Sequence, residues 1–318
     1  MQCLVLILMM VFSPLFVPTG QAAEILDGIK GRDDRIVMPS GEYPWRAVGR
    51  VNTETGGHCT GVLVGPALVV TAAHCLFDKR KMWYVPAEQV HFVAGTQEGK
   101  FVAHTTAKSY MIPKGYDELA KPTRKNALYD WAIIQLGEAI GYQTGWIGVR
   151  EAGLNENFIQ AGYSKDSKTG LSAHIGCPVL RLEESDPGNG GNGRKRGLLV
   201  HRCDAVPGDS GSPIFYYDQG KPYLAAIHVA TTKEQRPIEG IAVPVATFIR
   251  GIHQLGGGEP SEPEGNGVDL ARTLKLLLNH MGYPDLKTFY ATQGLETPEV
   301  LGYHIMEQLI SVMISNQK

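Results

Sequence analysis

A chain of 318 residues, 43% of them hydrophobic, can fill one large core or two ordinary ones, which excludes a purely disordered or linking protein. A formal charge of -2 gives no basic face for counterion release, so neither nucleic acid nor an anionic membrane is an expected partner. The basic run Arg194-Lys195-Arg196 reads as a solvated loop. Thirty-eight glycines, thirteen tyrosines and many short apolar runs divided by turn residues point to a mainly β protein.

In chain order, Met1-Gln2 and the apolar stretch Cys3 to Val17 read as a secretory signal over residues 1–22, cleaved after Ala22 beside the small residues Gly20 and Ala23. With Cys3 removed, Cys59, Cys75, Cys177 and Cys203 remain. An even number in an exported chain predicts two disulfides, of three pairings, and the sequence-local choice joins Cys59 to Cys75 and Cys177 to Cys203.

Residues 23–35 form a charged extension or propeptide, ending in Arg32-Asp33-Asp34-Arg35. The body, residues 36–256, carries strand-like runs at Val62-Leu63-Val64, Ala67 to Val70, Val90 to Val93, Trp131 to Ile134, Leu198 to Val200, Ile214 to Tyr216 and Leu224 to Ile227. Short strands in this number predict barrels or a sandwich. Phe248, Ile249, Ile252 and Leu255 then share the face of a closing helix.

Residues 257–267 are a Gly/Pro/Glu linker, too polar and breaker-rich to be expected to pack. Residues 268–318 form a small helical module. One helix carries Leu270, Leu274, Leu277, Leu278 and Met281 and stops at Gly282; a second opens at Thr297-Pro298 and carries Leu301, Ile305, Leu309 and Val312.

Hydrolysing an amide through a serine needs a base for the hydroxyl proton, a group fixing the base's tautomer, and amide donors for the oxyanion. His74, in Thr71-Ala72-Ala73-His74-Cys75, follows an apolar strand and adjoins a disulfide candidate. Ser210, in Gly208-Asp209-Ser210-Gly211-Ser212-Pro213, lies in a segment whose glycines permit a tight loop, so that the Gly208 and Ser210 amides can converge on one oxygen. Asp130 precedes the apolar run Trp131 to Ile134. Taken singly, each has a plainer reading: a packed core histidine, an ordinary turn, a strand-capping aspartate.

Histidine, aspartate and serine, in this order and in these contexts, resemble the chymotrypsin and trypsin clan of serine peptidases. The resemblance implies two antiparallel six-stranded β-barrels with a C-terminal helix, His74 and Asp130 coming from the first barrel and Ser210 from the second. It implies a serine endopeptidase acting on protein or peptide substrates without a metal or other cofactor. Lys30 to Arg35, Tyr43 to Gly49, Gly145 to Gly148 and Ala225 to His228 resemble the bacterial glutamyl endopeptidase (V8-like) branch. In that branch a histidine matching His228 neutralises an acidic side chain, which makes Ala205, His228, Val229 and Thr231 the substrate-binding candidates and Glu or Asp the residue before the cut. Ala205 and Thr231 depart from the branch's usual hydroxyl and glycine, and a small or apolar preference stays open.

Arg35-Ile36-Val37 also resembles a trypsin-type activation site, in which a freed Ile36 amine would pair with Asp209. Matching Lys30 to Arg35 with the V8-like branch instead puts the mature terminus near Ala23. The tail weakly resembles peptidoglycan-binding modules, which would mean cell-wall contact; a docking or self-packing appendage is the alternative. The expected location is secreted, periplasmic or at the cell envelope, with no membrane span after signal removal. The rival from another class is a catalytically silent binding protein on the same scaffold, against which the intact His74, Asp130 and Ser210 count.

Overall fold

The structure is a computed structural model and describes residues 28–167, 169–186, 196–232, 237–256, 262–265, 271–298 and 303–316. The expected leader, the start of the extension that follows it, Arg194-Lys195 and most of the expected linker lie outside the described residues.

After β1 (Arg35–Val37), the first half contains β2 (Val48–Thr53), β3 (His58–Gly65), β4 (Leu68–Thr71), a two-stranded ribbon of β5 (Phe77–Asp78) and β6 (Trp83–Tyr84), then β7 (Val90–Ala94), β8 (Ala103–Met111), the short helix α1 (Arg124–Ala127) and β9 (Ala132–Leu136). Strands β2, β3, β4, β9, β8 and β7 close into a barrel in that order. Val51, Leu63, Val69, Phe92 and Ile134, which the register places on one face, fill its interior, all but fully buried. Alternation along β7, where Val90, Phe92 and Ala94 are buried and His91 and Val93 half-buried, is what a pleated strand with one face on a core requires.

The second half contains α2 (Gly141–Thr144), β10 (Gly148–Val149), β11 (Ile159–Gly162), β12 (Ser172–Ile175), β13 (Val179–Asp186), β14 (Arg196–His201), β15 (Pro213–Asp218), β16 (Lys221–Thr231), β17 (Gly240–Pro244) and the predicted closing helix α3 (Val245–Gly256). Its sheet runs β1-β12-β11-β15-β16-β17-β14-β13, with β10 added beside β16. It is a half-barrel rather than a second closed ladder. At one end of the curl β12 is followed only by β1, at the other stands β13, and β12 and β13 follow each other in the chain through Gly176-Cys177-Pro178, where Gly176 is left-handed (φ +78°) and Pro178 has no amide to donate. The disulfides pair Cys59 with Cys75 and Cys177 with Cys203, the second pinning this corner to the end of β14.

The tail forms α4 (Ala271–His280), α5 (Leu286–Thr292) and α6 (Tyr303–Asn316). Helix α5, which the sequence reading missed, is short and opened by Asp285, whose carboxylate accepts from the Thr288 amide at 2.7 Å. The tail is docked on the body: Glu42 accepts from both the Thr273 amide (3.0 Å) and hydroxyl (2.7 Å), and Trp45 Nε1 donates to the same hydroxyl. The described part of the linker packs too, contrary to expectation. Trp146 and Glu264 exchange backbone hydrogen bonds, and Trp146 Nε1 donates to the Glu262 carbonyl. Backbone groups supply part of this docking and the Glu262 carboxylate the rest, accepting from the Tyr223 hydroxyl at 2.7 Å and from Arg150 at 3.4 Å; hydropathy registers neither.

Candidate active site

The ladder between β4 and β9 sets Thr71 opposite Ala132. The chain leaving β4 turns through a single 3-10 turn, Ala73–Leu76, that carries His74, and the chain entering β9 carries Asp130. Two residues 56 apart therefore meet: His74 Nδ1 lies 2.7 Å from Asp130 Oδ2, and the His74 amide donates to Asp130 Oδ1 at 3.0 Å. This double contact fixes the ring's orientation and puts its proton on Nδ1, which leaves Nε2 as the free base. Burial disfavours the charged imidazole, but the attraction and hydrogen bond of Asp130 outweigh it and raise the His74 pKa.

The Ser210 loop arrives from the other half and is tied to the first barrel by Thr60 on β3. The Thr60 amide donates to the Ser210 carbonyl at 2.9 Å, and its hydroxyl donates to the Gly208 carbonyl at 2.9 Å and accepts from the Tyr163 amide at 2.9 Å. The Ser210 carbonyl also lies 3.8 Å from Cys75 Sγ, one residue beyond His74. Gly211 is left-handed (φ +81°), and a Cβ there would stand 2.3 Å from the Thr60 carbonyl oxygen, so the loop can press on the barrel only with glycine at this position. Among the described residues, the Gly208 and Ser210 amides have no acceptor, which leaves both available to an oxyanion.

Asp209 turns inward between them. Both its oxygens accept from Ser164 Oγ, at 2.8 and 2.9 Å, and one accepts from the Val206 amide. Burial pushes its pKa up to about 7 despite these bonds.

A family model described as trypsin matches residues 36–252, more than half of the chain. The chain belongs to the trypsin family. It is 27% identical over 220 residues to a glutamyl endopeptidase of Bacillus licheniformis, covering 66% of this chain and 63% of that protein. It is 26% identical over 212 residues to a Bacillus subtilis protein named extracellular metalloprotease, covering 62% of this chain and 61% of that one. The chain thus spans a little over three fifths of the length of these curated relatives. A solved Glu endopeptidase in complex with MPD superposes with a TM-score of 0.58 at 22% identity, over 72% of this chain and 99% of its own, and shares the fold.

In this trypsin-family site the expected pocket residues lie behind the serine loop. The Gly211 amide donates to the His228 carbonyl at 2.7 Å, and Ala205, His228 and Val229 are buried. Thr231 stands further along β16, opposite Gly240. The sequence reading missed His201, whose Nε2 lies 3.0 Å from His228 Nδ1. Because the Cys203 amide donates to His201 Nδ1 (3.2 Å), the His201 proton sits on Nε2 and is donated to His228, whose own proton is left on Nε2. Burial first, then the nearby charges of Lys30 and His74, holds the His228 pKa down to about 3, so both rings are neutral at neutral pH.

The second missed group is Lys30. Its Nζ donates to the Gly28 carbonyl at 2.8 Å, and that carbonyl also accepts from the Ala205 amide. Burial lowers the ammonium to about 8, against the pull of Asp204 and Asp209. Asp204, itself buried, fastens this segment by accepting from the Lys30 and Asp34 amides at 2.7 and 3.1 Å. No local sequence pattern marks Thr60 or His201, because each acts through a partner supplied by the fold, and Lys30 is marked only as the first residue of the segment that resembles the glutamyl endopeptidase branch.

Proposed function

We propose that the protein is a secreted serine endopeptidase that cuts after Glu or Asp. Ser210 Oγ attacks the peptide carbonyl as its proton passes to His74 Nε2. Asp130 holds the imidazolium, and the Gly208 and Ser210 amides take the oxyanion. The C–N bond then breaks with the proton delivered to the leaving amine, and water releases the acyl group by the same route. The observation that carries this reading is the double hydrogen bond from Asp130 to His74, beside a serine loop anchored on Thr60.

The acidic preference is supported by the donor relay from Cys203 through His201 to His228, which leaves the His228 Nε2 proton for a substrate carboxylate, and by the Lys30 ammonium, whose charge is felt at both histidines. The name of the Bacillus licheniformis relative agrees with it. Two disulfides fit an oxidising compartment, and no helix of the described residues is long and apolar enough to cross a membrane. We favour a mature terminus upstream of β1. Ile36 is held opposite Ala173 in the β1–β12 ladder, and Asp209 has Ser164 and Val206 as partners, so pairing a freed Ile36 amine with Asp209 would require β1 to leave the sheet.

Digestion of a complex peptide mixture tests the specificity. Enrichment of Glu and Asp immediately before the cuts is expected; cuts after small or apolar residues without that enrichment would reject the acidic reading and leave the peptidase.

A further inference from the structure

A groove of about 530 Å³ opens beside His74 on the side away from the His228 pocket; its lining includes His74, His58 and the Cys59–Cys75 disulfide but none of Ala205, His228, Val229 or Thr231. Its far wall is the turn of the β5–β6 ribbon, with Lys79 and Arg80, and its near wall is Lys165. The groove abuts the oxyanion loop. The Lys165 amide donates to the Pro207 carbonyl at 2.8 Å, and a Cβ on Gly208 would stand 2.9 Å from His58 Nε2.

In acyl transfer the leaving amine receives its proton from the histidine, so the chain beyond the cut departs past His74, and this groove is the path open to it. The charge along the path is mainly positive. Asp78 is the carboxylate of the lining; it is buried, and its Oδ1 accepts from the Arg80 amide at 2.9 Å. Lys79 pairs with Glu118 at 2.9 Å, and the Arg80 Nε lies 3.7 Å from Asp78 while its guanidinium reaches the Thr55 carbonyl. Lys165 is exposed and has no ion-pair partner among the described residues. His58 donates from Nε2 to the Tyr163 carbonyl, and burial lowers its pKa, so it adds polarity rather than charge.

We propose that Lys165 is the principal cation met by the residues that follow the scissile bond and makes the protein favour acidic side chains there. The proposal rests on the endopeptidase reading and is independent of the residue preferred before the cut.

The test uses the full chain and three peptides identical up to the scissile bond that carry Asp, Ala or Lys at the three positions after it, each assayed with the wild type and with Lys165→Glu. A p-nitrophenyl ester with the same acyl portion and no residues beyond the bond is run in parallel on the wild type. We expect kcat/KM to fall from Asp to Ala to Lys by about three- to fivefold per step, the size that charge pairs at partly exposed sites produce, and to flatten at high salt. In Lys165→Glu the Asp-to-Lys ratio should shrink or invert. Equal rates for the three peptides, or a ratio unchanged by Lys165→Glu, would overturn the role of Lys165 while ester turnover upholds the peptidase reading. Failure of the wild type to turn over the ester or any peptide would overturn both.

Discussion

The two halves of the body hold their parts of the site by different means. In the first, a closed barrel with an apolar interior delivers His74 and Asp130 at the ends of adjacent strands, and one carboxylate makes both decisive bonds. In the second, the Ser210 loop and the pocket behind it are held by buried polar groups, Asp209 on Ser164, His228 on His201 and Asp204 on the Lys30 segment. Buried polar groups are costly unless satisfied, so the second half trades stability for a fixed array of donors, whereas the first obtains its geometry from strand register. The half-barrel's open ladder fits this division, because its corner is pinned by a disulfide rather than by pairing.

The largest expected effect is in the first half. Asp130→Asn should lower kcat by about 10⁴-fold, the size found where an orienting carboxylate is neutralised. Because His74 must be neutral to act and Asp130 raises its pKa, the wild-type kcat/KM should rise with pH through a midpoint above 6.5, and the residual activity of the variant should rise at a lower pH. Steady-state kinetics across pH measure both. A midpoint unmoved by the substitution would mean that the carboxylate does not govern the base.

The contact between the halves comes next. Gly211→Ala forces an unfavourable φ and a clash with the Thr60 carbonyl, and should cost about 3 kcal/mol or more in urea unfolding. Gly57→Ala is its control: that glycine is also left-handed (φ +85°) but has open space around it, and should cost about 1 kcal/mol. Equal costs would show that the loop does not press on the barrel.

Asp209 tests the polar half by pH. Its folded pKa of about 7 stands above the ordinary 3.8, so between those values the folded protein keeps a proton that the unfolded chain loses. Stability should therefore fall as pH rises from 4 to 7 and level off above, by about 1.4 kcal/mol for each pKa unit realised. Asp209→Asn should remove that slope from melting temperatures; an unchanged slope would place the buried proton elsewhere.

The smallest effect concerns the tail. Thr273→Val removes the hydroxyl shared by Glu42 and Trp45 and should loosen α4 by about 1 kcal/mol, visible as faster hydrogen exchange in residues 271–280 with the barrel unaffected.

These differences also mark how far the sequence could be read. His74 and Ser210 stand in segments with distinctive neighbours, an apolar strand on one side and a disulfide cysteine or glycines on the other, and Asp130 directly precedes an apolar run, so local pattern and chemistry pointed to them together. The local disulfide pairing and the closing helix were legible for similar reasons. Thr60, Ser164 and His201 were not. Each is a single polar residue in an ordinary context, and its partner lies 148, 45 or 27 positions away, a distance that only the completed barrel and sheet bridge. The docked linker escaped for a related reason: Glu262 and Glu264 attach through backbone groups, which any sequence possesses, and the Glu262 carboxylate attaches to Tyr223 and Arg150, 39 and 112 positions away.

Whether Ser210 is an activated nucleophile is read by labelling the folded protein with a fluorophosphonate probe and identifying the modified peptide by mass spectrometry. Label is expected on Ser210 in the wild type and none in Ser210→Ala. Folded wild type that takes no label, or label that persists in Ser210→Ala, would contradict activation of Ser210.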